Sequence, residues 1–162
     1  MELVFDIEAN GFLFEADTIW CIVAIDEHDK VYSFGPDKIN EGIKFLQTAD
    51  KIIGHNIVGY DIPLIKKLYN IDLYDTNKVI DTLILSRLAN PVREGGHSIE
   101  KWGYRLGGTQ KQAHDDWTQF SQEMLSRCEK DTIINKTLFN YLKKSLRLNG
   151  KYMKHLNLNG FL

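Results

Sequence analysis

Four acidic residues, Asp6, Glu8, Asp61 and Asp131, are the side chains of this sequence best suited to chemistry. Hydrolysing a phosphodiester at neutral pH needs a hard cation to activate water and a second to stabilise the leaving oxygen. Carboxylate oxygens are the ligands that suit Mg²⁺ or Mn²⁺ for that work. Asp6 and Glu8 stand two apart in Phe5-Asp6-Ile7-Glu8, which reads as a strand, so both side chains share one face and can grip one ion. Asp61 follows Gly54-His55-Asn56-Ile57-Val58-Gly59-Tyr60, an apolar strand end turning into a helix, and Asp131 lies in a long helical pattern near the C-terminus. Any one of these acids is as well explained by a solvated charge or a helix cap. The combination points to a two-metal site that only tertiary folding can assemble.

The elements that must position them follow from the hydrophobic pattern. Glu2 to Glu8, Thr18 to Asp26 and Val31 to Phe34 read as three strands of an antiparallel meander, the last two joined by the turn-like Glu27-His28-Asp29-Lys30. Pro36-Asp37 opens a helical pattern through Thr48, and Lys51 to His55 is a short buried strand expected to lie parallel to the first. A helix is expected from Asp61 to Tyr69. Val79 to Leu83 then reads as another strand running into Ile84 to Leu88, and Ser98 to Leu106 as a helix ended by Gly107-Gly108. Ser121 is an N-cap candidate for two C-terminal helices, 121 to 130 and 131 to 148. Strands first, then alternating helix and strand, then helices, indicate an α/β domain with a central mixed sheet flanked by helices.

Composition sets the outer bounds. With 162 residues, 43% apolar and 26% charged, one globular domain over 1–162 is expected. No apolar run reaches the length of a membrane span, and Met1-Glu2-Leu3 opens with no signal-peptide pattern, so a cytoplasmic, soluble chain is expected. Cys21 and Cys128 have neither zinc-ligand spacing nor a disulfide-framework count, and read as buried, inert thiols. Net charge is only −2, but after Asp131 there is no acid, while Lys136, Lys143, Lys144, Arg147, Lys151 and Lys154 supply six positive charges. Such a tail can follow a phosphate backbone, or it can simply be a solvated face with cations near a helix C-terminus.

The motifs carry a family likeness. Phe5-Asp6-Ile7-Glu8-Ala9-Asn10, then His55-Asn56-Ile57-Val58-Gly59-Tyr60-Asp61, resemble the first two motifs of the DEDD-superfamily, DnaQ-like 3′-5′ exonucleases. Ile80-Asp81-Thr82-Leu83-Ile84-Leu85-Ser86-Arg87-Leu88 and His97-Ser98-Ile99-Glu100-Lys101-Trp102-Gly103-Tyr104-Arg105-Leu106-Gly107 resemble, more specifically, the proofreading domain of family A phage DNA polymerases. The resemblance implies an RNase H-like fold and two divalent ions, Mg²⁺ or Mn²⁺. It implies Asp6, Glu8 and Asp131 as ligands of the ion that activates water, Asp6 bridging to a second, and Asp61 acting through that ion's water shell. It also implies substrate contacts from Phe12, Asn56 and Asn10, with Phe12 packing on the terminal base; a core aromatic is the alternative for Phe12. Asp81 is better read as a cap than as a ligand. The substrate implied is single-stranded DNA or a frayed DNA 3′ end, released as nucleoside monophosphates. A separate polymerase subunit is a further partner if the enzyme is split, since no polymerase domain is expected within 162 residues.

One departure bears on catalysis. The tyrosine branch of the superfamily has Tyr-x-x-x-Asp in its third motif, and Arg127 stands at the tyrosine position; the histidine branch needs His where Ser126 stands. An arginine cannot serve as a general base. At i, i+4 it can pair with Asp131, in competition with a metal, or hold the scissile phosphate. His97 and His114 lie in loop-like segments, where surface residues are the ordinary reading, and Trp102-Gly103-Tyr104 reads as core packing. A slowed DNA exonuclease is therefore the leading expectation. A catalytically impaired nucleic-acid-binding or polymerase-docking module is the alternative, and an RNA exonuclease a third.

Overall fold

A computed structural model describes residues 1–107 and 116–148. Strand β1 (Glu2–Ala9) is the centre of a five-stranded sheet with β2 (Ile19–Asp26), β3 (Val31–Phe34), β4 (Lys51–Gly54) and β5 (Val79–Asp81), in the order β3-β2-β1-β4-β5. The β1, β2 and β3 pairings are antiparallel and β1–β4–β5 parallel, the mixed sheet the sequence implies. Helices α1 (Ile39–Gln47) and α2 (Asp61–Tyr69) belong to one side; α3 (Thr82–Ala89), α4 (Ile99–Leu106) and α5 (Gln122–Leu148) belong to the other.

Alternation along β1 explains why its acids face a site. Leu3, Phe5, Ile7 and Ala9 enter the core beneath α1 and α2 with Ile43, Leu46 and Leu64. Val4 points the other way, into a second core with Trp102, Leu138 and Leu142, and Asp6 and Glu8 share that parity. The strand thus seals one face with apolar side chains and offers carboxylates on the other, where α5 crosses β1 and β2.

Two expectations change. The C-terminal helices are one continuous helix, α5. No Gly or Pro interrupts it, and Thr132 Oγ1 bonds back to Cys128 O at 2.7 Å within the helix. The expected strand Val79 to Leu83 stops at Asp81, because that carboxylate caps α3 by accepting from the amides of Leu83 and Ile84. Asp81 also accepts from Asn56 N at 3.0 Å and Val58 N at 3.1 Å, so one buried acid ties β5, α3 and the loop after β4. Asp81→Ala leaves these amides without their acceptor and is expected to cost about 3 kcal/mol or more in urea unfolding, with Asp81→Asn intermediate. Gly54 is required at the end of β4, since a Cβ there would lie 2.0 Å from Ile57 Cγ2. Lys151, Lys154 and His114 lie outside the described residues. No helix among the described residues is long and apolar enough to cross a membrane.

Candidate active site

Asp6 and Glu8 come from β1, Asp131 from α5, and one ligand oxygen of each lies within 4.8 Å of the others. Asp61, the first residue of α2, is 3% exposed, and its Oδ1 has no hydrogen-bond partner among the described residues. Burial, then the neighbouring Glu8, Asp61 and Asp131, push the Asp6 carboxyl well above the usual carboxylate range. Burial likewise pushes Asp61 up to about 8. Clustering negative charge in a poorly solvated place is unfavourable unless a cation neutralises it. An orphaned oxygen beside three converging carboxylates fits a hard divalent ion with oxygen ligands.

Arg127 lies over this cluster. Its Nε is 3.5 Å from Glu8 Oε1 and 3.9 Å from Asp131 Oδ2, and its side chain is only 12% exposed. The guanidinium carbon sits 4.8 Å from the centroid of Trp117. The i, i+4 pairing with Asp131 expected from spacing is therefore present, and Glu8 and Trp117 are added to it. Trp117 is not marked by any motif. It is anchored where its carbonyl accepts from Trp20 Nε1 at 2.9 Å, a contact across 97 residues.

Two cavities flank the acids. One, of about 520 Å³, is lined by Glu8, Asn10, Phe12, Asn56, Tyr60 and Trp117 among others. Phe12 is 81% exposed, which excludes the core reading for it. Its loop is nonetheless tied down: Lys67 Nζ donates to the carbonyls of Leu13, Phe14 and Ala16, and the Tyr60 hydroxyl donates to Gly11 O. Asn10 lines this cavity, but its side chain is engaged in closing the loop, with Oδ1 accepting from Asp17 N and Thr18 N and Nδ2 donating to Asp17. Asn56 lines both cavities and holds a left-handed backbone, φ 64°. The second cavity, of about 610 Å³, has Asp6, Glu8, Asp131 and Arg127 on one side and His55, Arg87, His97 and Ser98 on the other.

Cys21 and Cys128 are both buried and free, as expected, but not remote. The Cys128 thiol lies 3.6 Å from Asp6 Oδ2, beneath the acids, and burial raises it well above its ordinary value. Trp102 is core, as expected, with Nε1 donating to Ser86 Oγ, while Tyr104 is half exposed. Burial lowers His55 to about 4, so the native state binds fewer protons there than the unfolded chain does. Stability present above pH 6.5 is therefore lost as pH falls toward 4, by up to about 3 kcal/mol. His55→Gln should flatten this part of the acid limb, read from urea midpoints between pH 7 and 4.5 in EDTA.

No family model matches the chain. It is 29% identical over 184 aligned positions to the DNA-directed DNA polymerase of Enterobacteria phage T3, covering 86% of this chain and 26% of the polymerase. The corresponding polymerase of Escherichia phage T7 is 28% identical over the same shares. The chain thus spans about a quarter of the length of these curated relatives. Among solved structures, Brucella melitensis NrnC bound to pGG matches with a TM-score of 0.74 at 14% identity, covering 94% of this chain and 76% of that one. The same protein with bound Mg²⁺ matches at 0.73 and 14%, covering 99% and 82%. The catalytic core of RRP6 from Trypanosoma brucei, mutant C496S, matches at 0.71 and 16%, covering 95% and 43%.

The fold is that of the RNase H-like exonucleases. Homology to the phage polymerases bears out the likeness carried by the motifs, to the DnaQ-like 3′-5′ exonucleases of DEDD type.

Proposed function

We propose that this protein is a metal-dependent 3′-5′ exonuclease acting on single-stranded or frayed 3′ DNA ends and releasing nucleoside monophosphates. The observation that carries this reading is the convergence of Asp6, Glu8 and Asp131 within 4.8 Å, beside buried Asp61 and a cavity carrying an exposed, anchored aromatic. Asp6, Glu8 and Asp131 would hold one divalent ion, with Asp6 shared to a second and Asp61 ordering its water shell. Ions so held supply an activated water and charge neutralisation at the leaving oxygen. Phe12 offers a face on which the terminal base would stack, and Trp117 lines the same cavity. Asn56, which lines both cavities, would meet the terminal nucleotide. The similarity to a nuclease solved with pGG and with Mg²⁺ supports a nucleic-acid substrate and a divalent ion. The domain is read as a single exonuclease unit, with a polymerase subunit as its partner if the enzyme is split.

A time course on 3′-labelled single-stranded DNA with Mn²⁺, native chain against Asp6→Ala, tests this reading. Stepwise shortening abolished by Asp6→Ala is expected; no shortening with Mn²⁺ or Mg²⁺ at high protein concentration overturns it. Matched RNA and DNA oligonucleotides settle the sugar, since the 2′-hydroxyl is the group available for discrimination.

A second reading, a silent nucleic-acid-binding or docking module, is favoured by one observation, the Arg127 guanidinium lying against Glu8 and Asp131. Salt-dependent binding without turnover would select it. The basic tail lends it little, since Lys136 bonds to Asp29 at 2.6 Å and Lys143 lies 3.9 Å from Glu2.

A further inference from the structure

The cavity of about 610 Å³ beside the acids has walls of opposite character. Asp6, Glu8 and Asp131, with Arg127 lying against them, form one wall; Arg87 of α3, His55, His97 and Ser98 form the other. None of the basic groups on the second wall is used by the hydrolytic reading above. Arg87 is exposed and takes part in no salt bridge among the described residues, so its permanent charge is not neutralised by an ion pair there. Arg87 and His97 both bear on His55, Arg87 through its charge, which opposes protonation there, and His97 also through a backbone hydrogen bond that favours it, so three basic residues share one neighbourhood.

His97 is held from the core. Ser86 is fully buried, and its Oγ receives a hydrogen bond from Trp102 Nε1 at 3.0 Å. The same Oγ pairs with His97 Nδ1 at 2.6 Å, which leaves Nε2 as the ring nitrogen that can turn to a ligand. His97 thus stands on the same wall as Arg87. Helix α4 also begins on this wall, at Ser98 and Ile99, which adds the positive end of a helix to it.

We infer that Arg87 and His97 form a phosphate subsite for the phosphodiester one nucleotide upstream of the bond that is cleaved. The inference rests on the exonuclease reading and names the substrate it prefers. Glu8 and Asn56 border both cavities, so a strand with its last base beside Phe12 passes the acids and continues onto the basic wall. A dinucleoside monophosphate has only the scissile phosphate and leaves the subsite empty, whereas a trinucleotide fills it. Substrates with at least two phosphodiesters are favoured, and the acidic wall repels the same strand wherever it is not neutralised.

The test uses two fluorescent single-stranded DNAs that differ only in a neutral methylphosphonate at the second linkage from the 3′ end. Binding is read by anisotropy in Ca²⁺, and shortening in Mn²⁺. The wild type should bind the modified strand about tenfold more weakly, the size of one charge-assisted hydrogen bond. Arg87→Gln should bind both strands equally, at about the affinity of wild type for the modified one, with a salt slope smaller by about 1. Arg87→Lys should recover part of the discrimination. His97→Ala should reduce it, whereas His97→Gln, which offers an N–H donor, should reduce it less. Equal wild-type affinity for both strands, or full discrimination retained by Arg87→Gln, overturns the subsite while leaving the exonuclease reading intact if shortening continues. A wild type that neither binds nor shortens either strand overturns both.

Discussion

Asp6→Asn is expected to make the metal-free protein more stable while removing its hydrolytic activity. In EDTA at pH 8 the native state must hold an Asp6 carboxyl displaced upward by burial and by Glu8, Asp61 and Asp131. Because its folded pKa lies above the unfolded value, the native state binds more protons, and stability falls as pH rises from about 4 through the folded value. An amide has no charge to bury and can still meet the Cys128 thiol next to it. Each kcal/mol of relieved repulsion should raise the thermal midpoint by about 2–4 °C for a chain of this size. With Mg²⁺ the order should reverse, because the wild type gains binding free energy that Asp6→Asn largely forfeits. Turnover should fall by more than about a hundredfold, since removing even an outer-shell partner of a metal ligand costs about 10- to 100-fold. Thermal unfolding in EDTA and in Mg²⁺, with a parallel nuclease assay, decides this. A midpoint lowered under both conditions would mean that the acids are held by protein contacts and need no ion.

Arg127→Tyr is expected to raise turnover by at least about tenfold. In the wild type the guanidinium lies against Glu8 and Asp131, the same carboxylates a metal would use, and it is braced there by Trp117. A cation already in that place competes with a divalent ion for its ligands. Removing it should therefore tighten Mn²⁺ binding. The new side chain also restores a hydroxyl one helical turn before Asp131, where a water-orienting group contributes about 10²- to 10⁴-fold. Calorimetric titration of Mn²⁺ separates the two contributions, and Arg127→Met, which removes the charge without adding a hydroxyl, should show only the tighter binding. Equal or lower turnover in Arg127→Tyr would assign Arg127 to the scissile phosphate.

The sheet was legible because its strands are short apolar runs between turn residues, and the parity of Val4, Asp6 and Glu8 follows from a period of two. What was illegible depends on long-range partners. A break between residues 130 and 131 is suggested by the run Asp131-Thr132-Ile133-Ile134-Asn135, poor in helix formers. The helix runs on because no Gly or Pro interrupts it and its buried face docks on other elements, Asn135 accepting from Thr82 Oγ1 at 2.7 Å on another helix. The pairing of Arg127 with Asp131 could be read from i, i+4 spacing, but its contact with Glu8 requires knowing where α5 crosses β1. The cap at Asp81 was visible locally, whereas its hold on Asn56 and Val58 was not. Trp117 had no signal at all, since a tryptophan in a polar connection acquires its place from distant partners such as Trp20 and Arg127. Phe12 reads as either core or platform until its loop is seen tied to Lys67 and Tyr60.

The unbroken α5 makes this protein unusually sensitive to insertions and deletions in one place. Arg127 and Asp131 face the acids of β1, while Asn135, Leu138 and Leu142 on the same rod lock into Thr82 and the second core. One residue added between 131 and 135 would turn everything beyond it by about 100°. Either Asp131 would leave the acid cluster or the hydrophobic stripe would leave the core. Drift in length during evolution is therefore expected to collect in the connections before α5, whereas the spacing from Arg127 to Leu142 should be counted residue by residue in any functional relative.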